Sequence, residues 1–398
     1  MKHNISFSLI EIIIAVLMFL MLQPSFTWTW DIGIIQNVLL LLLAFLFDYK
    51  EKNYAILFLF FSIIVCIVPI AHGYNMFVVL PTVLLAFIPF VRKETCLRSF
   101  VLFKYIVAAV MAVSIVVWFA VLVFQIPIPG QIIEPLNELK DCNYMSYPFL
   151  VMPIDVKDIR SIARFCSVYD EPGVVGTMSL LLLYFGDFKL KKFDNIILFI
   201  GGLISFSLFF LLGFGIFLLI KVFIDRNLKK YRIYSLIGVV LLFVAVLTVP
   251  VFNEMVGSRL EYDEEKGTLA GNNRSGEGLD DYIASIRGTS KYFWGDPKGE
   301  EEYASHASLQ NAILRYGAVF MALFFVFYFL YAKTRLHNSW REISMFMLLL
   351  FLTLYQRPGF LSPTYLFIFS CVVQSRQVTI EKKRKLQLYE KTIKPVYK

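Results

Sequence analysis

Apolar residues occur along this chain in continuous blocks of 13 to 25 rather than in alternation with polar ones. Twelve blocks stand out, at 5–22, 32–47, 54–71, 76–91, 100–124, 172–186, 194–206, 208–224, 234–251, 308–332, 343–356 and 360–375. A helix of about 20 apolar residues crosses a hydrocarbon core of about 30 Å, and helix satisfies the backbone hydrogen bonds that lipid leaves unmet. The alternation expected of a membrane barrel is missing. The pattern therefore predicts an all-α polytopic integral membrane protein with about twelve transmembrane helices, forming one membrane domain over 1–398.

The 194–224 stretch could be one long helix or two short ones turning at Ser205-Phe206-Ser207, and charge decides between them. Lys189, Lys191 and Lys192 precede it and Arg226 to Arg232 follow it. A single crossing would put these basic groups on opposite faces, against the positive-inside rule. With two crossings and the N-terminus inside, the inner side collects 26 Lys and Arg against 9 Asp and Glu, and the outer side 12 against 20. Both termini are then cytoplasmic. The net charge of +8 becomes a topology signal, not a sign of nucleic-acid binding, and the tail 376–398, with Glu381-Lys382-Lys383-Arg384-Lys385, suits anionic lipid headgroups.

Composition agrees: 58% hydrophobic residues, 40 Phe and only 17% charged residues are far from a soluble domain. The first block lacks a small-residue cleavage site and leads into Trp28-Thr29-Trp30, so it reads as a retained helix with an interfacial aromatic cluster. Cys66, Cys96 and Cys371 read as apolar filler, while Cys142 and Cys166 share one outer loop where an oxidising compartment would permit a disulfide. Neither a CxxC pair nor a phosphate-binding glycine loop occurs, so no metal or cofactor is expected.

Two outer segments are long, 125–171 and 252–307. The first ends in Arg160-Ser161-Ile162-Ala163-Arg164-Phe165 and then Asp170-Glu171-Pro172-Gly173-Val174-Val175-Gly176. Pro172 is placed to start a helix behind the two acids. Arg160 and Arg164 are one helical turn apart, a spacing that suits either a phosphate clamp or a solvated basic face. The second is a 56-residue polar island with 12 acidic and 6 basic residues, carrying Arg274, Tyr282 and Arg287 and ending at His306 before Arg315-Tyr316-Gly317. Carboxylates beside aromatic rings suit a sugar surface, for which Tyr282 is the candidate, and equally suit a solvated loop. His306, the one histidine in either long loop, is a candidate base near neutral pH.

Taken in order, Arg164, Phe165, Glu171, Pro172, Gly173 and Gly176, then a short helix pair with Ser at its turn, then His306, Leu309, Ile313 and Gly317 resemble the O-antigen polymerase and ligase superfamily. The resemblance implies a metal-independent inner-membrane glycosyltransferase with a GT-C-like fold and two long periplasmic loops. It would act on oligosaccharide linked to undecaprenyl pyrophosphate, with a chain-length regulator and a flippase as partners. Polymerases often carry Arg-x(10)-Gly in both loops, and here Arg164 reaches Gly173 across eight residues and Arg287 reaches Gly295 across seven. Ligases usually follow the loop histidine with Asn; Ala307 stands there and tilts the expectation to a polymerase.

On that reading His306 or Glu171 takes the acceptor proton, and Arg287, with Arg164 and Arg274, faces charge developing on the departing pyrophosphate. Arg160, Arg315 and Tyr282 complete a substrate-binding set between the two loops. The alternatives are a ligase moving finished glycan to lipid A-core, and a non-enzymatic transporter of the lipid-linked oligosaccharide. For a transporter, Glu11 is the one deep ionisable candidate.

Overall fold

Short caps and prolines set several helix starts in the computed structural model, which describes residues 6–48, 54–73, 76–136, 142–154, 164–224, 229–230, 232–249, 253, 262–263, 268–269, 278–303 and 308–393. Ser8 and Glu11 form a capping box at α1 (Leu9–Leu20), and Asp31 caps α2 (Ile32–Phe45) through the Gly33 N–H. Pro172 takes the first position of α6 (Pro172–Phe185), as its missing N–H allows. Helix makes up 74% of the structure.

Among the described residues, three helices are long and apolar enough to cross a membrane: α3 (Tyr54–Ala71), α5 (Lys93–Leu122) and α13 (Leu309–Arg335). Several others are apolar but shorter. α1 has 12 residues, so its rise is about 18 Å against an apolar layer of about 30 Å. The block at 76–91 is not one helix; α4 (Met76–Leu84) gives way to a 3₁₀ segment, Leu85–Phe90, containing Pro89, which has no N–H to continue an α-helix. The expected break at Ser205-Phe206-Ser207 is present, separating α7 (Phe193–Ile204) from α8 (Leu208–Ile224). α9 spans Arg232–Thr248, and α14 spans Trp340–Gln356. The last block extends past its apolar end as one 31-residue helix, α15 (Pro363–Ile393), which takes the basic tail with it.

The chain divides into two compact units. Unit 1 holds Met1–Met21, Asp31–Phe103 and Ser275–Lys398. Its core is knitted by aromatic rings: Phe61 stacks on Phe327 with centroids 4.0 Å apart, Phe90 meets Tyr331 edge-on, and the Tyr331 hydroxyl donates to the Pro89 carbonyl at 2.7 Å. The Arg335 guanidinium lies 3.9 Å over the Tyr54 ring. Such ring pairs are each worth about 0.5–1.5 kcal/mol beyond area burial, which gives the many Phe a packing role.

Glu11 is buried but partnered. It sits in the first turn of α1, accepts from the Ser8 N–H at 2.8 Å and pairs with Arg98 at 2.7 Å. The apolar block around it hides a helix start, which the Ser8 cap supplies.

Unit 2 holds Leu22–Trp30 and Lys104–Arg274. Its first long loop contains a three-stranded antiparallel sheet, β1 (Gln131–Ile133), β2 (Asn143–Tyr147) and β3 (Leu150–Ile154), in that order. Ile132 faces Met145, and Met145 faces Met152. A two-residue pair, β4 (Tyr262–Asp263) with β5 (Thr268–Leu269), lies in the second loop. Strand in an otherwise helical protein is thus confined, among the described residues, to the two long loops. Lys104, almost fully buried, pairs with Asp194 at 2.6 Å and bonds Asn195, fixing α5 to the start of α7. A buried cation needs such partners, because leaving one unpaired costs about 3–5 kcal/mol.

Candidate functional site

In unit 2 the segment 164–171 is held on three sides. The Val151 N–H donates to Ser167 O and the Ser25 N–H to Val168 O, both at 2.7 Å, while the Ser114 and Ser167 hydroxyls meet at 2.8 Å. Tyr144, Val151 and Cys166 form the small core beneath it, with Trp28 edge-on to Tyr144 at 5.6 Å. Cys142 packs on the same core but forms no disulfide with Cys166, whose thiol meets the Arg164 carbonyl at 3.5 Å. The Tyr144 hydroxyl donates to the Asp170 carbonyl at 2.6 Å; burial first, and the Asp170 charge after it, raise its pKa, so it stays protonated.

This frame presents Glu171 at the N-cap of α6, half-buried, with its side chain not used to cap the helix. Arg164 turns its guanidinium to the α7–α8 turn, donating from Nε to Ser205 O at 3.2 Å and from Nη2 to Phe206 O at 3.0 Å. Two of its five N–H groups thus already hold backbone. Gly176 explains the helix pair: a Cβ there would overlap the Ser207 side chain, so α6 reaches the turn only with glycine at 176.

In unit 1 the end of the second loop is a platform of three short helices, α10 (Leu279–Ile286), α11 (Ser290–Trp294) and α12 (Pro297–Tyr303). Leu279 and Ile286 bury themselves against Leu314 of α13, with Tyr282, Tyr292 and Tyr303 packed around them. Ser308 caps α13 by accepting from the Asn311 N–H at 3.1 Å. Within α13 the backbone leaves helical geometry at Gly317, with φ 78° and ψ 152°. The break takes from Leu314 O its partner in the next turn, and the Asp296 N–H replaces it at 2.7 Å. A Cβ on Gly317 would lie 2.6 Å from the Trp294 carbonyl carbon. The glycine therefore lets the platform dock on the broken helix.

Charged groups lace the platform. Tyr282 stacks on Tyr303 at 4.4 Å and donates its hydroxyl to Asp296 Oδ2, which Lys291 Nζ also meets at 3.0 Å. Burial would raise the Asp296 carboxyl, but the hydrogen bonds from Tyr282 and Lys291 outweigh it and the pKa is lowered. Those same bonds to Asp296 raise Tyr282 and Lys291. Arg315 pairs with Glu300 through both Nε and Nη2, and Gln310 bonds Asp280. Arg287 is exposed at the C-cap of α10. Tyr282 is therefore first a structural tie, and Arg315 is an ion-paired group. His306, Arg274 and Arg160 lie outside the described residues.

A further histidine belongs here. His72, in the short connection after α3, faces Trp294 and Gly295, close enough that a Cβ on Gly295 would lie 2.6 Å from its Nε2. Burial lowers its pKa against the raising effects of the Trp294 backbone, Glu300 and Asp296, which keeps it neutral at neutral pH. Its position in a short connection hid it, since only the long loops drew attention. Below it an apolar groove of about 480 Å³ runs along α3, lined by Ser62, Ile63, Cys66, Ile67, Ile70 and Trp294. Among the described residues no three His, Cys, Asp or Glu side chains gather as metal ligands.

The depressed Asp296 value has a testable sign. Its ties stabilise the platform fully above the ordinary carboxyl value of 3.8, and the contribution is lost as pH falls through the lower folded value. Pepsin cleavage of the platform is expected to accelerate as pH drops from about 4 to about 2, with a step that Asp296→Asn removes. Equal pH profiles for the two proteins would refute the tie.

No family model, curated protein or solved structure matches the chain.

Proposed function

We propose that the chain is an O-antigen or related polysaccharide polymerase, moving a growing glycan from undecaprenyl pyrophosphate onto the next lipid-linked repeat unit at the periplasmic face of the inner membrane. The reading takes it to cross the membrane about twelve times in a GT-C-like arrangement, with both termini cytoplasmic. One observation carries it: three residues of the family-like motifs, Arg164, Gly176 and Gly317, each sit where a loop end or turn packs on its helix. Arg164 and Gly176 engage the Ser205–Ser207 turn in unit 2, and Gly317 receives Phe293 and Trp294 in unit 1.

The chemistry asks for a base, cationic groups and an apolar lane. The donor anomeric C–O bond breaks with its electron pair going to pyrophosphate, the acceptor oxygen bonds the anomeric carbon, and the acceptor proton passes to Glu171 or His306. Arg287, Arg164 and Arg274, with Arg160, are the groups proposed to face the anionic pyrophosphate, while Arg315 and Tyr282, tied to Glu300 and Asp296, drop out of the set. The groove ending at Trp294 has the apolar lining that an isoprenoid chain needs. A transporter draws no support from buried charge, since Glu11 caps its own helix and Lys104 is paired with Asp194.

Electrophoresis of lipopolysaccharide from a strain lacking the chain tests the reading. A polymerase defect leaves core carrying a single repeat unit. Bare core with accumulated lipid-linked polymer would instead identify a ligase and overturn it.

A further inference from the structure

The basic tail has no part in the proposed transfer. α15 is buried along its first half, where Leu366, Phe367, Ile368, Phe369, Val372 and Val373 are fully enclosed, and Gln374, Arg376 and Gln377 continue the buried face. Beyond that, Lys382, Arg384 and Lys385 are exposed. There the helix passes the turn Leu336–Ser339 that follows α13, and the Arg384 guanidinium donates to the His337 carbonyl at 3.5 Å. A polar cleft of about 510 Å³ opens at this crossing, lined by Leu330, Lys333, Thr334, His337, Asn338 and Arg384.

We propose that this cleft binds the phosphate of an anionic phospholipid headgroup. Two cations, Lys333 and Arg384, line it from different helices, together with His337 and Asn338 of the turn. Arg offers paired donors to phosphate oxygens and Lys a mobile point charge. One acid, Glu381, stands at the cleft, 3.9 Å from His337 Nε2, and it is shared with Lys93 at 3.5 Å and Gln377, which donates to it at 2.9 Å. The cleft therefore keeps a surplus of positive charge.

Its level points to lipid. α13 is long and apolar enough to cross a membrane, and Lys333 and Thr334 stand in its last turn, where headgroups lie. Trp340, 60% exposed at the start of the next helix, marks the same interfacial level, and Leu330 gives the cleft an apolar floor. A free phosphate ion would satisfy the same donors but would leave Leu330 and Trp340 without purpose. This inference stands apart from the transferase reading.

The test uses the purified full-length protein in phosphatidylcholine nanodiscs containing increasing phosphatidylglycerol, with the thermal midpoint as readout. The wild-type midpoint is expected to rise with phosphatidylglycerol. The Lys333→Gln/Arg384→Gln variant should need about 30-fold more of it, the effect of removing two charges near a membrane surface. Lys333→Arg/Arg384→Lys should restore the response, which separates lost charge from lost folding. Lys382→Gln/Lys385→Gln, changed on the same helix outside the cleft, should lose clearly less of the response. An undiminished response in the first variant, or an equal loss in the last, would overturn the site in favour of diffuse attraction to the tail. An equal midpoint rise with inorganic phosphate in pure phosphatidylcholine would assign the cleft to the free ion and overturn the lipid reading.

Discussion

Glu171→Gln is expected to slow glycan transfer by about 100-fold or more, the usual contribution of a positioned general base. Its thermal midpoint in detergent should match wild type. The second half of that expectation comes from the structure: Glu171 caps α6 with its backbone, its side chain makes no cap bond, and the segment before it is held by Ser25, Ser114 and Val151. Gln keeps the shape and removes the negative charge, and with it the capacity to take a proton. The rate of adding repeat units to a lipid-linked acceptor, measured at equal protein, is the readout. A wild-type rate would remove Glu171 as the base and leave His306.

Gly317→Val should unfold the platform from α13. Backbone near φ 78° and ψ 152° is reached almost solely by glycine, and strain of this kind costs about 1–3 kcal/mol for other residues. A side chain there would also be driven into the Trp294 backbone, adding about 1–3 kcal/mol of overpacking. The platform can relieve both by leaving, which strands the Leu314 carbonyl and exposes Leu279 and Ile286. Trypsin should then cut at Arg287, Lys291 and Lys298 much faster than in wild type, and transfer should be lost. Gly215→Ala is the matched control, since a Cβ there meets nothing within 4 Å. A wild-type cleavage pattern for Gly317→Val would show that the platform does not depend on the break.

What the sequence made legible follows from how local each cause is. The turn at Ser205-Phe206-Ser207 could be placed because basic residues stand on both sides of the 31-residue run, and the start of α6 because Pro172 acts on its own residue. The break at Gly317 could not. The predicted block at 308–332 runs straight through it, and its partners, Phe293 and Trp294, lie more than 20 residues earlier. The sheet in the first loop escaped notice for a similar reason. Its strands are three to five residues long, and its core includes Trp28 and Cys166 from outside the strands.

The candidate residues divided the same way. Glu171 stands where its motif put it, at the head of α6. Tyr282 and Arg315 looked open to substrate because composition cannot reveal that Asp296 and Glu300 fold back onto them. His72 lies more than 200 residues before the Trp294 and Gly295 it faces, a proximity that only folding creates.

The central claim is enzymatic transfer between lipid-linked glycans, and it is most directly tested with purified protein in nanodiscs supplied only with undecaprenyl-pyrophosphate-linked repeat units. A polymerase must produce a ladder of longer lipid-linked glycans, with release of undecaprenyl pyrophosphate in step and little of either from Glu171→Gln. Intact repeat units and no released carrier, from protein that remains folded, would contradict the claim.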